Sequence, residues 1–421
     1  MTTAAADLST STTDPIRGSA FAALRLRTYR IYLTGHAVAS TGAWIQSIAL
    51  DWLVLERAGT PSAVGIVMAC QFLPMLLLGM HGGLIADRFP KRTVLLVTQS
   101  LNAVVSGTIA VLTISGAVQV EHLYLLALAG GLVFVVDNPA RQVFVNEVVP
   151  PDHARQAIAL NAATFQASRL IGPAVAVVLI GTVGTGWAFA ANAVSFLFPI
   201  AGLLLIHPAE LQPAPRFDPA AGRLRDALRH VAARPRVAAT IMLVGVVGTF
   251  GLNFPIVLTA MAGEAFGGGA GLYGLFNIVL AVGSVGGALV ATRVRRPGMP
   301  VLVASAAIFA GAQAAAATAP GIAMFCVLLA VLGVANLAFQ AMANASVQAW
   351  VDPAVRGRVM GLYMLVFAGG TPIGAPIIGA LTAEYGARAG MAVCGIVPLA
   401  ACVGLVLLRR RRASVPSLVP A

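Results

Sequence analysis

Long apolar runs alternate along the chain with short polar or basic connections. A helix needs about 20 mostly apolar residues to cross the hydrocarbon core of a membrane. Twelve runs of that kind can be read from the sequence, at residues 31–54, 63–86, 93–115, 122–147, 156–182, 185–206, 237–261, 270–292, 300–319, 321–349, 357–382 and 386–408. The pattern therefore predicts an all-α integral membrane protein with twelve transmembrane helices.

Composition supports this class and excludes others. Of the 421 residues, 58% are hydrophobic and 10% charged, and the mean hydropathy is +0.88. A soluble domain carries about 25% charged residues, because water must wet its surface. The four cysteines lie inside apolar runs, which argues against a secreted disulfide scaffold. The glycines and prolines follow no period, which excludes a collagen-like chain.

The basic residues predict the orientation in the membrane. The formal net charge is +12, and 23 of the 27 Lys and Arg residues fall on one side of the predicted helices, against two on the other. Short loops that stay in the cytoplasm are enriched in these residues. We therefore expect a multi-pass protein of the cell (inner or plasma) membrane with both termini in the cytoplasm. No basic run is interleaved with aromatics, so nucleic acid is not an expected partner.

The runs fall into two sets of six. Shifting the chain by about 201–204 residues places Gly172-Pro173 on Ala375-Pro376 and Arg155 on Arg356. Two such repeats around a central pathway are a recurring transporter plan. The predicted organisation is a disordered cytoplasmic tail (1–20), a six-helix bundle (21–206), a cytoplasmic linker with one amphipathic helix near 222–233 (207–236), a second bundle (237–408) and a basic tail (409–421).

The connection between the second and third runs carries a family motif. Residues 83–95 read GLIADRFPKRTVL, which resembles the G-x-L-a-D-r-x-G-r-k pattern of the major facilitator superfamily. Gly83, Asp87, Arg88 and Arg92 match the pattern, and Pro90 replaces the usual glycine. Residues 51–56, 137–142 and 168–173 resemble the branch of enterobactin-exporter-like and macrolide-efflux-like proteins. The resemblance covers residues 21 to about 408.

This resemblance implies that the motif is a conformational latch. Asp87 is expected to accept hydrogen bonds from the free N–H groups at the start of the eleventh helix, near Arg356–Met360. That contact would join the two halves on the cytoplasmic side while the cavity is open outward. The alternative is that the motif serves only as a topological anchor.

Polar residues inside the first run share one helix face. His36, Ser40, Trp44, Ser47 and Asp51 recur at steps of three and four residues, which places them in one stripe. Such a stripe suits a water-filled cavity. The alternatives are that His36 and Ser40 only bond neighbouring helices, and that Asp51 is only interfacial.

Three charged residues lie inside the fourth and fifth runs, away from their ends. Asp137 and Arg141 are four residues apart, which allows an ion pair along one helix, and Arg169 precedes the Gly172-Pro173 kink. The pair is either a static lock or a proton carrier in which Asp137 releases an arginine. Asp51 is the second candidate carrier. Gln340 and Asn344 occupy the equivalent positions of the second half and are further candidates for the cavity lining.

The sequence predicts a secondary-active transporter, a proton-coupled exporter of a small amphiphilic molecule of the drug, antibiotic or siderophore type, functional as a monomer. The alternatives are an importer of a small organic solute and a non-transporting receptor or scaffold. The sequence contains neither a phosphate-binding P-loop nor a cluster with metal-ligand spacing, so no cofactor, metal or enzymatic activity is expected.

Overall fold

The computed structural model describes residues 22–212, 224–294, 298–352 and 355–413. Within these ranges twelve helices are long and apolar enough to cross a membrane, which confirms the predicted fold class. The helices are α1 (Arg27–Ala58), α2 (Pro61–Arg88), α3 (Lys91–Ile114), α4 (Val120–Glu147), α5 (Ala154–Val183), α6 (Thr185–Leu205), α7 (Pro235–Ala265), α8 (Ala270–Arg293), α9 (Met299–Ala316), α10 (Ile322–Trp350), α11 (Arg356–Tyr385) and α12 (Ala387–Ala413).

The predicted tails and linker are described only in part. The tail at 1–20 lies outside the described residues, and so does 414–421. The predicted basic tail at 409–421 differs at its start, because α12 continues as helix to Ala413. In the linker, a 3₁₀ turn at Pro208–Glu210 and a helix at Leu224–Ala232 flank residues 213–223, which are not described.

Because successive helices alternate in direction, the odd-numbered helices all begin at one end of the bundle and the even-numbered helices all begin at the other. We call the basic side the end where α1, α3, α5, α7, α9 and α11 begin. We call the far side the opposite end, where the glycine turns Gly59, Gly116 and Gly386 lie. Large apolar side chains cover the outer faces between these ends. Leu77, Val104 and Met242, for example, are each more than 60% exposed, which suits contact with lipid.

The two sets of six helices pack in corresponding pairs. Helix α2 packs on α4 as α8 packs on α10, and α3 packs on α6 as α9 packs on α12. Glycines permit the close approach in both sets: a Cβ at Gly82 would clash with the Val135 carbonyl oxygen, and one at Gly287 with that of Val334. Between the sets, α2 packs on α11 and α5 on α8, which are again corresponding pairs.

Helix α7 is interrupted. Its α-helical segments, Pro235–Val246 and Phe254–Ala260, are each followed by a π-helical turn. At the break, the Asn253 side chain donates hydrogen bonds to the Thr249 and Phe250 carbonyl oxygens at 2.8 and 3.1 Å. Gln313 of α9 donates to the Gly251 carbonyl oxygen at 3.1 Å. Side-chain amides thus bind carbonyl groups where the helical pattern is lost.

Candidate substrate cavity and far-side seal

A cavity of about 1180 Å³ lies between the two sets of helices. From the second half it is lined by α8 up to Val294, at the end of that helix, and by residues 337–345 in the basic half of α10. From the first half it is lined by all six helices, α1 to α6. The cavity therefore extends to the basic side.

The two walls of the cavity differ in chemistry. The first half contributes hydrogen-bonding side chains, several of them amides, among them Gln46, Gln71, Asn102, Asn161, Gln166 and Asn192. The second half contributes alanines, Leu337, Met342 and Val294. Among its described lining residues, Thr292 alone has a polar side chain. A ligand in this cavity therefore meets nearly all of the polar groups on the first-half wall, where they lie among aromatic and aliphatic side chains, and an almost entirely apolar wall on the other side.

Two sets of contacts close the cavity on the far side, and we call them together the far-side seal. The first is close packing at two glycines: a Cβ at Gly65 of α2 would lie 2.5 Å from the Ala375 carbonyl oxygen of α11, and one at Gly274 of α8 would clash with the Val177 side chain of α5. The second is a hydrogen bond from the Tyr273 hydroxyl of α8 to Asp51 Oδ2 of α1, at 2.7 Å.

Asp51 and Tyr273 are almost completely enclosed, with 3% and 1% of their surfaces exposed. Within the described part of the chain, Asp51 forms no ion pair, and the Tyr273 hydroxyl is its only side-chain donor. Sequence reasoning selected Asp51 but missed Tyr273. A tyrosine near the start of an apolar run carries no signal of a partner 222 residues away.

Asp137 has the opposite surroundings. Its Oδ1 accepts hydrogen bonds from Thr98 at 2.6 Å and from Gln99 at 2.7 Å. Its Oδ2 accepts from Arg141, through Nε at 3.1 Å and through Nη2. The Arg141 Nη1 group also donates to Nδ1 of His36 at 3.2 Å. The charge of Asp137 is thus balanced by Arg141, and both of its oxygens are bound.

Arg169 lies apart from this network. Its guanidinium carbon is 5.6 Å from the centre of the Trp44 ring. Trp44 in turn lies 6.0 Å from the ring of Phe165, and both aromatic residues line the cavity. One turn later, a Cβ at Gly172 would clash with Trp44, so the glycine lets α5 pack directly on α1. Pro173 follows inside the same helix.

The other predicted residues are divided between the cavity and its surroundings. His36, Ser40, Trp44 and Ser47 line the cavity together, as their common helix face predicts. Gln340 and Asn344 are not among the described lining residues. Gln340 instead donates to Asn336 at 2.7 Å, and Asn344 accepts from Gln348 at 2.5 Å, so their amides bond along α10.

The motif residues at the basic end of α2 are placed as follows. Gly83 and Asp87 belong to α2, but the surroundings of these two residues lie outside what the structure describes. Arg88 lies over the ring of Phe89, 5.9 Å from its centre. Arg92 donates from Nε to the Leu203 carbonyl oxygen at 2.7 Å, which links the start of α3 to the end of α6 within one half.

Twelve helices in two similarly paired sets around a central cavity define a membrane carrier of the major facilitator fold. The sequence profile of a family described as transmembrane secretion effector matches residues 18–418, and the chain belongs to this family. The resemblance read from the sequence motifs is thereby confirmed.

Characterised relatives include two kinds of transporter. The multidrug efflux pump Tap of Mycobacterium bovis is 28% identical over 398 residues, which cover 88% of this chain and 90% of that protein. The Staphyloferrin A transporter of Staphylococcus aureus is 25% identical over 257 residues, 60% of this chain and 64% of that protein.

Solved structures share the fold. One is a bacterial homologue of the lysosomal transporter Spinster in an inward-facing conformation. The alignment covers 94% of this chain and 96% of that protein, with a TM-score of 0.64 and 16% identity. A D-xylose-proton symporter matches 90% and 97% of the two chains with a TM-score of 0.68 and 15% identity. At these identities the likeness shows the fold alone.

Proposed function

We propose that this transporter exports small amphiphilic molecules in exchange for protons by alternating access. The observation that carries the proposal is the asymmetry of the cavity: it extends to the basic side and is closed by the far-side seal. With the basic side in the cytoplasm, this arrangement is the inward-open state, in which an exporter takes up its substrate from inside the cell. Rocking of the two halves would open the seal and release the substrate outside.

The wall chemistry supports an amphiphilic substrate. Amides of the first half offer donors and acceptors without fixed charge, while the second half offers an apolar surface. A binding site of this kind fixes orientation through a few polar groups and gains affinity from burial of apolar area. Export is supported by the multidrug efflux pump Tap, a relative that matches most of the chain.

Asp51 is the residue that we propose carries the proton. A buried carboxylate without a cation is costly, so protonation of Asp51 is favoured while the seal is closed. Opening the seal would expose Asp51 to water on the far side and separate it from Tyr273. Ser47, one helical turn away, lines the cavity and provides the route towards the basic side.

As a candidate proton carrier, Asp137 ranks second by its contacts, although the sequence pattern ranks it first. Arg141 and the donors Thr98 and Gln99 occupy both oxygens of its carboxylate. Releasing them all in each cycle would break several charge-assisted hydrogen bonds. We therefore propose that Asp137 and Arg141 are a fixed pair that holds His36 and the helices α1, α3 and α4 together.

The experiment measures accumulation in sealed vesicles under an imposed pH gradient. Purified protein is reconstituted, and ethidium, 1-pyrenebutyrate and 1-pyrenebutanol are offered as cationic, anionic and neutral probes. We expect uphill accumulation of at least one probe when the far-side compartment is acidic. A receptor or scaffold moves none of them, and an importer moves them in the opposite direction; either result overturns the proposal.

Two variants separate the candidate carriers. We expect Asp51→Asn to lose uphill accumulation while keeping downhill exchange of the same probe, and folded Asp137→Asn to keep both. The control is Asp352→Asn, because Asp352 is an exposed aspartate in the connection after α10. Loss of uphill accumulation in Asp137→Asn, with full coupling in Asp51→Asn, would assign the proton to Asp137 instead.

A further inference from the structure

From its position over the ring of Trp44, which lines the cavity, we infer that Arg169, although not itself among the described lining residues, binds an oxyanion of the substrate. The transported molecules are then amphiphiles that carry a carboxylate, sulfonate or phosphate beside an aromatic or apolar body. This inference rests on the proposed function, since it takes the central cavity as the substrate site.

The position of Arg169 follows from helix geometry. Ala162, Phe165 and Gln166 of α5 line the cavity. At 100° per residue, Arg169 falls in the middle of the face that these residues define, one turn closer to the far side. About two turns further along α5, Val177 packs on Gly274 in the far-side seal. Arg169 thus lies between the part of α5 that lines the cavity and the far-side seal.

The charge of Arg169 has no acidic partner in the described part of the chain. Asp137 is the one acidic residue among the described lining residues, and Arg141 neutralises it. The Trp44 ring faces the Arg169 guanidinium and favours a cation there, but it carries no negative charge. Behind the Trp44 ring, next to a lining whose Asp137 and Arg141 balance each other, there is therefore one uncompensated positive charge. Charges inside membrane helices are costly and mark ligand sites.

The surroundings of Arg169 specify the rest of the ligand. The Trp44 and Phe165 rings lie 6.0 Å apart beside it and offer a surface for an aromatic or apolar group. A guanidinium presents a planar fork of donors that matches two oxygens of a carboxylate, sulfonate or phosphate. A substrate bound here places its anionic end at Arg169 and its apolar body between the Trp44 and Phe165 rings and the second-half wall.

The test compares two probes that share one aromatic body. 1-Pyrenebutyrate and 1-pyrenebutanol differ only in the terminal carboxylate or alcohol, and energy transfer from tryptophan to pyrene reports binding to the purified protein. We expect the wild-type protein to bind the carboxylate at least about tenfold more tightly than the alcohol, the scale of a charge-assisted hydrogen bond. The ratio of these two affinities is measured on the wild-type protein alone. A ratio near one overturns the inference.

Variants assign the preference to Arg169. Arg169→Gln is expected to bind both probes alike, because only the carboxylate loses affinity, and Arg169→Lys to keep part of the preference. The matched control is Arg388→Gln: Arg388 also lies over an aromatic ring, that of Phe266 at 5.7 Å, but it donates to the Ala317 and Ala319 carbonyl oxygens away from the cavity. An unchanged preference in Arg169→Gln overturns the inference.

The binding test is independent of transport. A carboxylate preference without uphill accumulation of any probe overturns the proposed exporter function. Uphill accumulation without a carboxylate preference leaves that function standing and overturns the role of Arg169.

Discussion

The Tyr273 hydroxyl donates a 2.7 Å hydrogen bond to the Asp51 carboxylate, although 222 residues separate the two along the chain. The bond joins α1 of the first half to α8 of the second half at the closed end of the cavity. One contact therefore both binds a carboxylate and joins the two halves. A change in the protonation of Asp51 and a change in the side to which the cavity opens can thus influence each other.

Removing the Tyr273 hydroxyl is expected to loosen the far-side seal. A net hydrogen bond contributes about 1 kcal/mol, so Tyr273→Phe should shift the equilibrium towards the far-side-open state about fivefold. Spin labels at Ser115 and Thr318, exposed positions at the far ends of α3 and α9, report the separation of the halves. An unchanged distance distribution would show that the bond does not hold the seal.

A methyl group at Gly65 is expected to hold the two halves apart on the far side. The added Cβ would lie 2.5 Å from the Ala375 carbonyl oxygen, a backbone atom that cannot rotate away. Gly65→Ala should therefore populate longer distances between the same labels and slow transport. The matched control is Gly181→Ala, since a Cβ at Gly181 meets no atom within 4 Å. Equal distance distributions in the two variants would contradict the packing argument.

Asp87→Asn is expected to abolish or sharply reduce transport while membrane insertion stays intact. The substitution keeps the size of the side chain but removes the charge that a helix N-terminus favours, a contribution of about 0.3–1 kcal/mol and up to ~2 when partly buried. Arg88→Ala should have a milder effect. Transport assays on variants expressed at wild-type levels provide the measurement. Wild-type transport by Asp87→Asn would refute the latch.

Arg92→Ala is expected to destabilise the first half rather than alter the latch. Arg92 Nε donates to the Leu203 carbonyl oxygen at 2.7 Å, close to the end of α6, where the helix dipole also favours a cation. Loss of this charge-assisted bond should lower the free energy of unfolding by about 1–2 kcal/mol. Thermal unfolding in detergent measures the loss, and Arg92→Lys is expected to recover part of it. An unchanged midpoint in Arg92→Ala would refute this role.

The contact between Arg234 and Asp352, in the connection after α10, is expected to weaken only in strong acid. The hydrogen bond from Arg234 at 2.5 Å, together with its charge, lowers the pKa of the exposed Asp352 carboxyl below its ordinary value. A lowered carboxyl pKa gives a stabilisation that is present above the unfolded-state pKa, about 3.9, and is lost as the pH falls through the folded-state value.

We therefore expect this contact to remain constant between pH 5 and 8 and to be lost only below about pH 4. The midpoint of thermal unfolding, measured against pH for wild type and Asp352→Asn, tests this. The difference between the two proteins should be constant above pH 5 and should vanish in acid. A difference that changes between pH 6 and 8 would point to another group.

Local patterns were sufficient to predict the helices and the contacts within them. The run at 185–206 corresponds to α6 at Thr185–Leu205, because a bilayer span needs a minimum apolar length that composition alone reveals. The Asp137–Arg141 pair could be predicted from its four-residue spacing, since such residues face one another on a single helix. Hydropathy did not reveal the break in α7 near Asn253, because apolar composition does not specify the hydrogen-bonding pattern of the backbone.

Only the tertiary structure decided which residues meet between helices. The sequence placed Asp51 on the same stripe as Ser47 but gave no partner for it, and it gave no contact for Arg169, which lies against Trp44. Repeat symmetry placed Gln340 opposite Asp137, whereas the amide bonds Asn336 on its own helix. The physical reason is that spacing along the chain determines the face of a helix, whereas the packing of all twelve helices determines what that face contacts.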